Sequence, residues 1–392
     1  MGDNFKGWTE TTVGDFSPFL YGKGLAERQR NQLGSVPVFG SNGVIGTHTE
    51  ALVNNAGIVI GRKGTVGAVH FCKGPFWPID TAFYVESKPD REIRYIYYLL
   101  RSLGLEHMNA DSAVPGLNRV AAHSRKILIP PLTEQKAIAS ILGALDDKIE
   151  LNRKMNETLE AMARAIFKSW FVDFDPIPNL ASHKEWQDSP LGKIPKGWKV
   201  GSLDGIADYL NGLALQKYPP ENDYEFLPVI KIAQLRKDST EGSDKASVNI
   251  DPAYVVSDGD VLFSWSGSLE VVIWCGGRGA VNQHLFKVTS KNYPKWFYYL
   301  WTKHHLPDFQ TIAAGKATTM GHIQRHHLAT AKVLVPPPNL LKAMDTIMSP
   351  VIENKIVNSV QSRTLASIRD ALLPKLLSGE IRVKDAKSKF EL

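Results

Sequence analysis

The sequence predicts an α+β protein: two similar α/β domains separated by two long helices that form an antiparallel coiled coil with pseudo-two-fold symmetry. Ile58–Gly74 aligns with Val261–Gly277 at an offset of 203, which places the only two cysteines, Cys72 and Cys275, at equivalent positions. Solenoid repeats are about 20–50 residues long, so this period indicates a duplicated domain. Shorter matches flank it, Lys6-Gly7-Trp8 with Lys196-Gly197-Trp198 at an offset of 190 and Lys126–Pro131 with Lys332–Pro337 at an offset of 206. A long stretch of heptad-like apolar spacing follows each copy.

Residues 1–130 and 176–337 are predicted to be the two globular domains. Val36–Gly46 carries a Ser-Asn-Gly turn between two apolar runs, which is typical of a β-hairpin. The apolar runs that begin at Ile58 and Val261 are predicted to be short strands entering glycine turns. Each domain also has one aromatic-rich run that predicts a core helix, Tyr95–Leu100 and Trp296–Trp301.

Residues 131–175 and 338–380 are predicted to be the two long helices, and residues 381–392 a tail. A helix of about 40 residues is roughly 60 Å long. Pro350 and Pro374 are expected to kink or shorten the second helix. The residues with heptad-like spacing are Ile138, Ile141, Leu145, Met155, Leu159, Met162 and Ile166 in the first helix and Met344, Ile347, Val351, Leu365, Ile368 and Leu372 in the second. This spacing predicts a coiled coil, and the alternative is two separate amphipathic helices, each packed on its own domain.

Both helices carry an asparagine at the same heptad position. Asn152 and Asn358 are separated by 206 residues, the offset that relates the two helices. In an antiparallel pair with two-fold symmetry, equivalent residues near the middle of each helix meet. We therefore predict that Asn152 and Asn358 approach each other and help to set the register, which is a known role of buried asparagine. The alternative is that both asparagines are exposed to solvent.

The composition is that of an ordinary globular protein with a basic balance. The 392 residues carry a formal net charge of +6, and the isoelectric point is about 9.0. This charge is compatible with nucleic-acid binding but does not require it. The first residues lack the layout of a signal peptide, and no apolar run is long enough to span a membrane. Two cysteines at equivalent sites of separate domains predict a buried, reduced pair and a cytoplasmic protein.

No set of residues predicts catalysis. The sequence contains no phosphate-binding loop of the GxxxxGK[ST] form. It also lacks the cofactor glycine loop and the Asp/Asn-Pro-Pro-aromatic motif of a DNA adenine methyltransferase. His322 and His326 are spaced for metal binding on a helix, but no cysteine or neighbouring carboxylate completes a site. We predict neither a catalytic residue nor a metal ligand in this chain.

Several separated motifs carry a family resemblance. The chain resembles the specificity subunit of type I restriction–modification enzymes. The matching segments are Ile129–Ala139, Phe167–Phe174, Asp260–Gly267, Gly279–Phe286 and Leu372–Ile381. They occur in the order typical of the family, and the resemblance covers essentially the whole chain.

The resemblance implies two target-recognition domains, residues 1–130 and 176–337, that each read one half of a bipartite, asymmetric site in double-stranded DNA. The paired helices would act as a spacer. Two DNA methyltransferase subunits and the restriction and translocase subunits are the implied partners, and no membrane is involved. S-adenosylmethionine and ATP are then expected on those partners, and no cofactor in this chain.

Residues that read bases are expected on loops of each domain. Arginine and lysine suit guanine, and asparagine and glutamine suit adenine. The candidates are Asn42, Arg62, Lys63 and Arg119 in the first domain and Ser266, Gln283, His284, Lys316 and Arg325 in the second. For each of them the alternative is a structural role or a phosphate contact. Trp265 is a further candidate that would wedge or stack, and its alternative is a place in the core.

The second copy is 13 residues longer between the equivalents of Trp8 and Ile58, since the offset grows from 190 to 203. Similar scaffolds with different loops suit two different ligands. The alternative functions are a stand-alone DNA-binding regulator, which would bind DNA tightly without partners, and an enzyme, which would cleave or methylate DNA by itself.

Overall fold

The two units of the chain share the two long helices. The first unit comprises residues 1–148 and 365–392, and the second comprises residues 149–364. Both boundaries fall inside a long helix, so each unit combines one globular domain with part of each helix. The residues described by the computed structural model are 7–31, 33–108, 116–176, 185–315 and 321–383.

The first globular domain is built from short strands and short helices. The strands are β1 (Thr9–Thr12), β2 (Leu20–Tyr21), β3 (Val36–Gly40), β4 (Gly43–His48), β5 (Gly57–Gly61), β6 (Val69–Cys72), β7 (Trp77–Pro78), β8 (Ala82–Glu86) and β9 (Lys126–Ile129). The helices are α1 (Val13–Phe16), α2 (Ile93–Ser102) and α3 (Arg119–His123). The main sheet is antiparallel with the order β2-β8-β5-β6, and β4-β3-β7 and β1-β9 form two smaller sheets. The predicted hairpin is confirmed as β3 and β4.

The second globular domain repeats this plan with additions. Its strands are β10 (Trp186–Ser189), β11 (Gly192–Pro195), β12 (Lys199–Ser202), β13 (Asp208–Asn211), β14 (Leu227–Ile230), β15 (Lys245–Ala246), β16 (Val255–Val256), β17 (Val261–Ser264), β18 (Val271–Ile273), β19 (Gly279–Val281), β20 (Leu285–Thr289) and β21 (Lys332–Val335). Its helices are α5 (Leu203–Ile206), α6 (Ile232–Lys237), α7 (Lys295–His304), α8 (Leu306–Ala314) and α9 (Arg325–Thr330). The sheets are β13-β20-β17-β18, β15-β14-β19-β16, β12-β21 and β10-β11.

The main sheets of the two domains have the same construction. Val261 on β17 lies opposite Val288 on β20, as Ile58 on β5 lies opposite Val85 on β8. Val261 follows Ile58 by 203 residues, and Val288 follows Val85 by the same offset, which is the one that the sequence repeat shows. The predicted duplication of an α/β domain is confirmed at the level of strand register.

The extra length of the second domain falls after β14. Val38 on β3 lies opposite Trp77, and Val229 on β14 lies opposite Ala280 in the same parallel arrangement. Val38 and its equivalent Val229 are 191 residues apart, whereas Trp77 and its equivalent Ala280 are 203 residues apart. The added residues therefore lie between them, in the segment that contains α6, β15 and β16. β15 pairs with β14 as β4 pairs with β3, and β16 adds a fourth strand to the sheet.

The two long helices are α4 (Leu132–Phe171) and α10 (Pro338–Leu377), each of 40 residues. Within the second unit they run antiparallel. Asn152 bonds to Ser362, whereas Asn156, one turn later on α4, bonds to Ser359, which is earlier on α10. The predicted fold class, with two similar domains and two long antiparallel helices, is confirmed.

Neither Pro350 nor Pro374 ends the second helix, so the expectation that they shorten it was wrong. α10 continues through both and equals α4 in length. Each proline is exposed, whereas its neighbours at −2 and +2 are buried: Met348 and Ile352, and Leu372 and Leu376. Because each proline faces solvent, water can bond the carbonyl that it leaves without a partner, while the buried neighbours hold the helix in place.

The apolar stripe of α4 is also displaced from the predicted one. Met155 and Met162 are 41% and 46% exposed, although their spacing predicts burial. Asn156 and Ala163 occupy the inward positions instead, since Asn156 bonds to α10 and Ala163 is fully buried. Ala163 is small and Asn156 bonds to the facing helix, so both suit a close helix contact where longer methionines do not.

Each domain packs on both long helices. In the first unit, Ile138 and Leu142 of α4 share a core with Leu372 and Leu376 of α10 and with α2. In the second unit the equivalent core contains Phe167, Trp170 and Phe171 of α4, Met344, Met348 and Ile352 of α10, and the aromatic side chains of α7. These extensive apolar contacts fix the part of each helix that a unit contains to its globular domain.

Candidate nucleic-acid interface

Arg62 directly follows β5 and begins a turn that only glycine permits. Gly67 in this turn has a φ of +74°, and a side chain there would come within 2.2 Å of the backbone nitrogen of Glu106. The backbone N–H groups of Arg62 and Lys63 donate to the carbonyl of Thr81, at 3.0 and 3.1 Å. The turn is therefore held against the start of β8, and this places the side chain of Arg62 beside the main sheet.

The first-domain cluster consists of Tyr21, Arg62, Phe83 and Arg119. The guanidinium carbon of Arg62 lies 5.0 Å from the ring centre of Tyr21 and 5.8 Å from that of Phe83. Arg62 also donates through Nη1 to the carbonyl of Asp80 at 2.9 Å. The guanidinium carbon of Arg119, the first residue of α3, lies 5.0 Å from the same tyrosine ring. Because Tyr21 is 53% exposed, two stacked cations stand at the protein surface.

The other two candidates of the first domain border this cluster. Lys63 is exposed and forms a β-bridge with Gly116. Asn42 is exposed in the turn between β3 and β4, and its neighbour Ser41 donates to the carbonyl of Thr81 at 2.7 Å. Thr81 therefore joins the turn of Asn42 to the turn of Arg62.

The second-domain cluster consists of Asn211, Trp265, Phe286 and Arg325. Trp265 donates through Nε1 to the side-chain oxygen of Asn211 at 2.8 Å, and its ring centre lies 5.9 Å from that of Phe286. The guanidinium carbon of Arg325 lies 6.0 Å from the Phe286 ring, and Nη2 donates to the carbonyl of Tyr209 at 3.3 Å. Trp265 is only partly buried, and it packs against the edge of the core.

Three further candidates meet beside Trp265. The Ser266 hydroxyl lies 2.9 Å from His284 Nδ1, and the Gln283 side-chain nitrogen lies 3.4 Å from His284 Nε2. Ser266 is buried, whereas Gln283 and His284 are half-buried. The imidazole is thus held between a hydroxyl and an amide. Lys316, the remaining candidate, lies outside the described residues.

The two clusters occupy equivalent places in the two domains. Arg62 and Trp265 differ by 203, Phe83 and Phe286 by 203, and Arg119 and Arg325 by 206, the offsets of the repeat. Tyr21 pairs with Phe83 across the strands as Asn211 pairs with Phe286. The same backbone position therefore holds an arginine on a tyrosine in one domain and a tryptophan bonded to an asparagine in the other.

Tyr21 and Asn211 were not among the predicted candidates. They lie on β2 and β13, far along the chain from Arg62 and Trp265, and come beside them only through strand pairing. The repeat offers one signal: Phe83 and Phe286 align at the offset of 203, and each is the cross-strand partner of a missed residue.

The helix pair of the second unit is joined by asparagine side chains. Asn152, fully buried, donates through Nδ2 to the backbone carbonyl of Asn358 at 3.3 Å and to the Gln361 side chain at 2.9 Å. Asn358, 8% exposed, donates to the Asn156 side chain at 3.1 Å. The structure thus brings Asn152 to Asn358, and their role in setting the register remains our prediction.

Replacing Asn152 by aspartate is expected to lower the free energy of unfolding by about 2–4 kcal/mol at neutral pH. The substitution keeps the shape of the side chain but replaces the donor with an acceptor that faces a backbone carbonyl. Urea unfolding measures the loss, and protonating the new carboxyl at low pH restores a donor and shrinks it. Asn118→Asp is the control, because Asn118 is an exposed helix cap for which aspartate is equally good. Equal stability of the two variants would contradict a role for Asn152 in joining the helices.

A largely buried carboxylate also joins α4 to α10 and α7. Glu160 accepts from Tyr299 at 3.1 Å and from Lys355 at 2.7 Å, and Lys303 is its third partner. Burial acts to raise the pKa of Glu160, but the charges of Lys355 and Lys303 outweigh it and lower the pKa to about 2. Burial lowers the pKa of Lys303, and the nearby positive charge of Lys355 acts in the same direction.

The described residues include no group of three or more His, Cys, Asp or Glu side chains that could hold a metal ion. Cys72 and Cys275 are free and buried, as predicted. Burial raises the pKa of both thiols, to about 11 for Cys275, so neither is poised as a nucleophile. Within the same part of the chain, no helix combines the length and apolar character needed to span a bilayer.

Comparison with known proteins places the chain among DNA-specificity proteins. The family model described as the type I restriction modification DNA specificity domain matches it twice, over residues 5–161 and 195–362. The specificity subunit of the type I restriction enzyme MjaIX from Methanocaldococcus jannaschii is 27% identical over 361 residues, which are 86% of this chain and 82% of that protein. The HindI specificity subunit from Haemophilus influenzae is 24% identical over 335 residues, 68% of this chain and 71% of the relative.

A solved structure has the same fold. The crystal structure of a type I restriction-modification S subunit from M. genitalium superimposes with a TM-score of 0.62 at 16% sequence identity. The match covers 96% of this chain and 97% of that one.

Proposed function

The chain belongs to the family of type I restriction–modification DNA specificity proteins, and on that premise we propose that its two domains each read one half of a bipartite, asymmetric DNA site. Membership of this family makes the chain a DNA-specificity subunit without catalysis of its own. This confirms the resemblance that the sequence motifs indicate. The bipartite, asymmetric form of the site and the side chains that read it are the parts that we propose.

One observation carries the proposal. The first-domain and second-domain clusters stand at equivalent positions of the same fold, but they present different chemistry. Two identical readers would favour a symmetric site, whereas Arg62 over Tyr21 and Trp265 beside Asn211 cannot make the same contacts to a base pair. The extra segment after β14 adds a second difference between the domains. Both differences support an asymmetric target.

We propose that α4 and α10 form the spacer between the two half-sites. Half-sites read from one face of B-DNA are about 34–36 Å apart, and a helix of this length extends roughly 60 Å. The boundary between the units falls inside both helices, and each domain is packed on both of them. Helices held in this way would fix the distance between two readers.

We also propose that the chemistry is supplied by partners. Two DNA methyltransferase subunits would dock on the helices and domains, and restriction and translocase subunits would join them. S-adenosylmethionine and ATP would then bind to those partners. The absence of nucleotide and methyl-transfer motifs from the sequence supports this division.

Expression of the chain with its methyltransferase partner is expected to modify chromosomal DNA at one bipartite, asymmetric motif. Sequencing of modified bases measures the motif directly. The purified chain alone should bind a labelled DNA duplex weakly and gain site-specific binding when the methyltransferase is added. Tight, salt-dependent binding by the chain alone, with no modified motif in cells, would instead identify a stand-alone regulator.

A further inference from the structure

Arg62 has a direction that is fixed before any ligand arrives. Its Nη1 is bonded to the carbonyl of Asp80 at 2.9 Å, and its guanidinium lies over the rings of Tyr21 and Phe83. A long side chain normally loses rotamer freedom when it binds. The three contacts of Arg62 restrict its rotamers before binding, so less side-chain entropy is lost when it contacts a ligand. A polar contact of defined geometry requires a side chain that is held in this way.

The hydrogen bonds of Arg62 leave one edge of the guanidinium available. A guanidinium carries five N–H donors on Nε, Nη1 and Nη2. Among the described residues, the side chain donates only through Nη1. The edge formed by Nε and Nη2 therefore offers two parallel donors, the arrangement that matches O6 and N7 of guanine in the major groove.

The neighbouring cations lack this combination. The only described contact of the Arg119 guanidinium is the ring of Tyr21, so its direction is less restricted. Lys63 is exposed and carries a point charge on a flexible stem, which suits a phosphate better than a base.

The equivalent position of the second domain cannot make the same contact. Trp265 replaces Arg62 there, and its single N–H is already bonded to Asn211 at 2.8 Å. Arg325 is retained in place of Arg119, with its Nη2 bonded to the carbonyl of Tyr209. Within the two clusters, the domains thus differ at Arg62 and Trp265 and at their partners Tyr21 and Asn211, while the arginine that starts α3 or α9 is common to both.

We propose that Arg62 reads a guanine in the half-site of the first domain and that Tyr21 positions it. The proposal rests on the proposed function and adds to it the identity of one base and its reader. Arg119, whose guanidinium is held among the described residues only by the ring of Tyr21, contacts a phosphate in the same half-site. Trp265 makes no guanine contact, so the two half-sites differ at the base pair that faces this position of each domain.

The test compares motifs in cells that express the chain with its methyltransferase partner. One set of cells expresses the wild-type chain and another expresses the Arg62→Lys variant, which keeps the positive charge but loses the two parallel donors. Sequencing of modified chromosomal bases gives the motif of each variant. Discrimination for guanine is measured as the rate of methylation of four duplexes, each with a different base pair at the position of the guanine. Discrimination for guanine is expected to fall by about 10- to 100-fold at that position only. The other half-site and the gap should stay unchanged.

Arg101→Lys is the matched control, because Arg101 also stacks on a tyrosine of the same domain, 5.5 Å from the ring centre of Tyr97. This variant should keep the wild-type motif. Tyr21→Leu should weaken the same guanine preference, and Tyr21→Phe should restore it. The two Tyr21 variants also test whether Arg62 reads the guanine if Arg62→Lys fails to fold. Arg119→Ala should lower methylation of all sequences without altering the motif.

Three results would overturn the proposal: a wild-type motif without guanine, an Arg62→Lys motif equal to the wild type, or a change of the motif caused by Arg119→Ala instead. If the wild-type chain gives no bipartite motif at all, the proposed function fails. A bipartite motif that Arg62→Lys leaves intact refutes only the assignment of Arg62.

Discussion

Adding one heptad to both long helices is expected to abolish modification at the original DNA motif and to lengthen the gap between its unchanged halves. Seven helical residues extend a helix by about 10.5 Å, which corresponds to about three base pairs at 3.4 Å each. The insertions belong after Lys148 and after Thr364, where the boundary between the units crosses α4 and α10. Sequencing of modified bases reads the new gap.

The phase of the DNA helix makes this test sharper. Three base pairs turn the second half-site by roughly 100°, since one turn takes about 10–10.5 base pairs. One heptad should therefore give weak modification. Three heptads, about 31 Å or nine base pairs, should restore it nearly one turn further on. Seven residues added after Gly242, in an exposed loop of the second domain, should leave the gap unchanged. If both helices can be lengthened while the gap stays the same, the helices are not the spacer.

Replacing Glu160 by glutamine is expected to lower the free energy of unfolding of the second unit by about 3–5 kcal/mol. Glu160 has only 13% of its side chain exposed, and the substitution removes the carboxylate that both Lys303 and Lys355 contact. Urea unfolding followed by tryptophan fluorescence measures the loss. This signal reports mainly on the second unit, because seven of the nine tryptophans lie in residues 149–364.

The pH dependence provides an independent check of the same group. The pKa of Glu160 is about 2 in the folded chain, below the ordinary value of 4.5 that the unfolded chain should show. Its stabilising contribution is therefore complete above about pH 5 and is lost as the pH falls from about 4.5 to 2. Glu160→Gln should remove this part of the acid sensitivity. The control is Glu157→Gln, because Glu157 is 63% exposed and its ion pair with Arg153 is worth less than about 1 kcal/mol. Similar losses in both variants would show that the buried cluster is not a special support of the helix pair.

Part of the candidate interface could be predicted from the sequence. Arg62 and Arg119 follow apolar runs or glycine turns, and their residue types suit DNA, so they could be chosen without a structure. Tyr21 could not, because the contact depends on β2 pairing with β8 and β8 with β5. The sequence also cannot show that Nη1 of Arg62 is already occupied by Asp80. Those facts separate Arg62 from the neighbouring Lys63.

The helices show the same division. The equal phase of Asn152 and Asn358 predicted their approach, because an offset of 206 relates both the residues and the helices. The sequence could not predict that Asn156, and not its neighbour Met155, faces the other helix. Heptad spacing assigns the apolar methionine to the buried face and gives no reason to place the polar asparagine there. The continuity of α10 through Pro350 was equally hidden, because it depends on the burial of Met348 and Ile352 against the second domain.

The sequence by itself determined the duplication, the two long helices, the family and the residue types of the interface. These features follow from periodicity and from residues close together in the chain, where backbone geometry dictates the outcome. Only the tertiary structure decided which side chains meet across strands, which face of each helix turns inward, and that one position holds a stacked arginine in the first domain and a bonded tryptophan in the second. Those outcomes depend on packing between distant segments, and a difference between two copies acquires chemical meaning only when the neighbours of each residue are known.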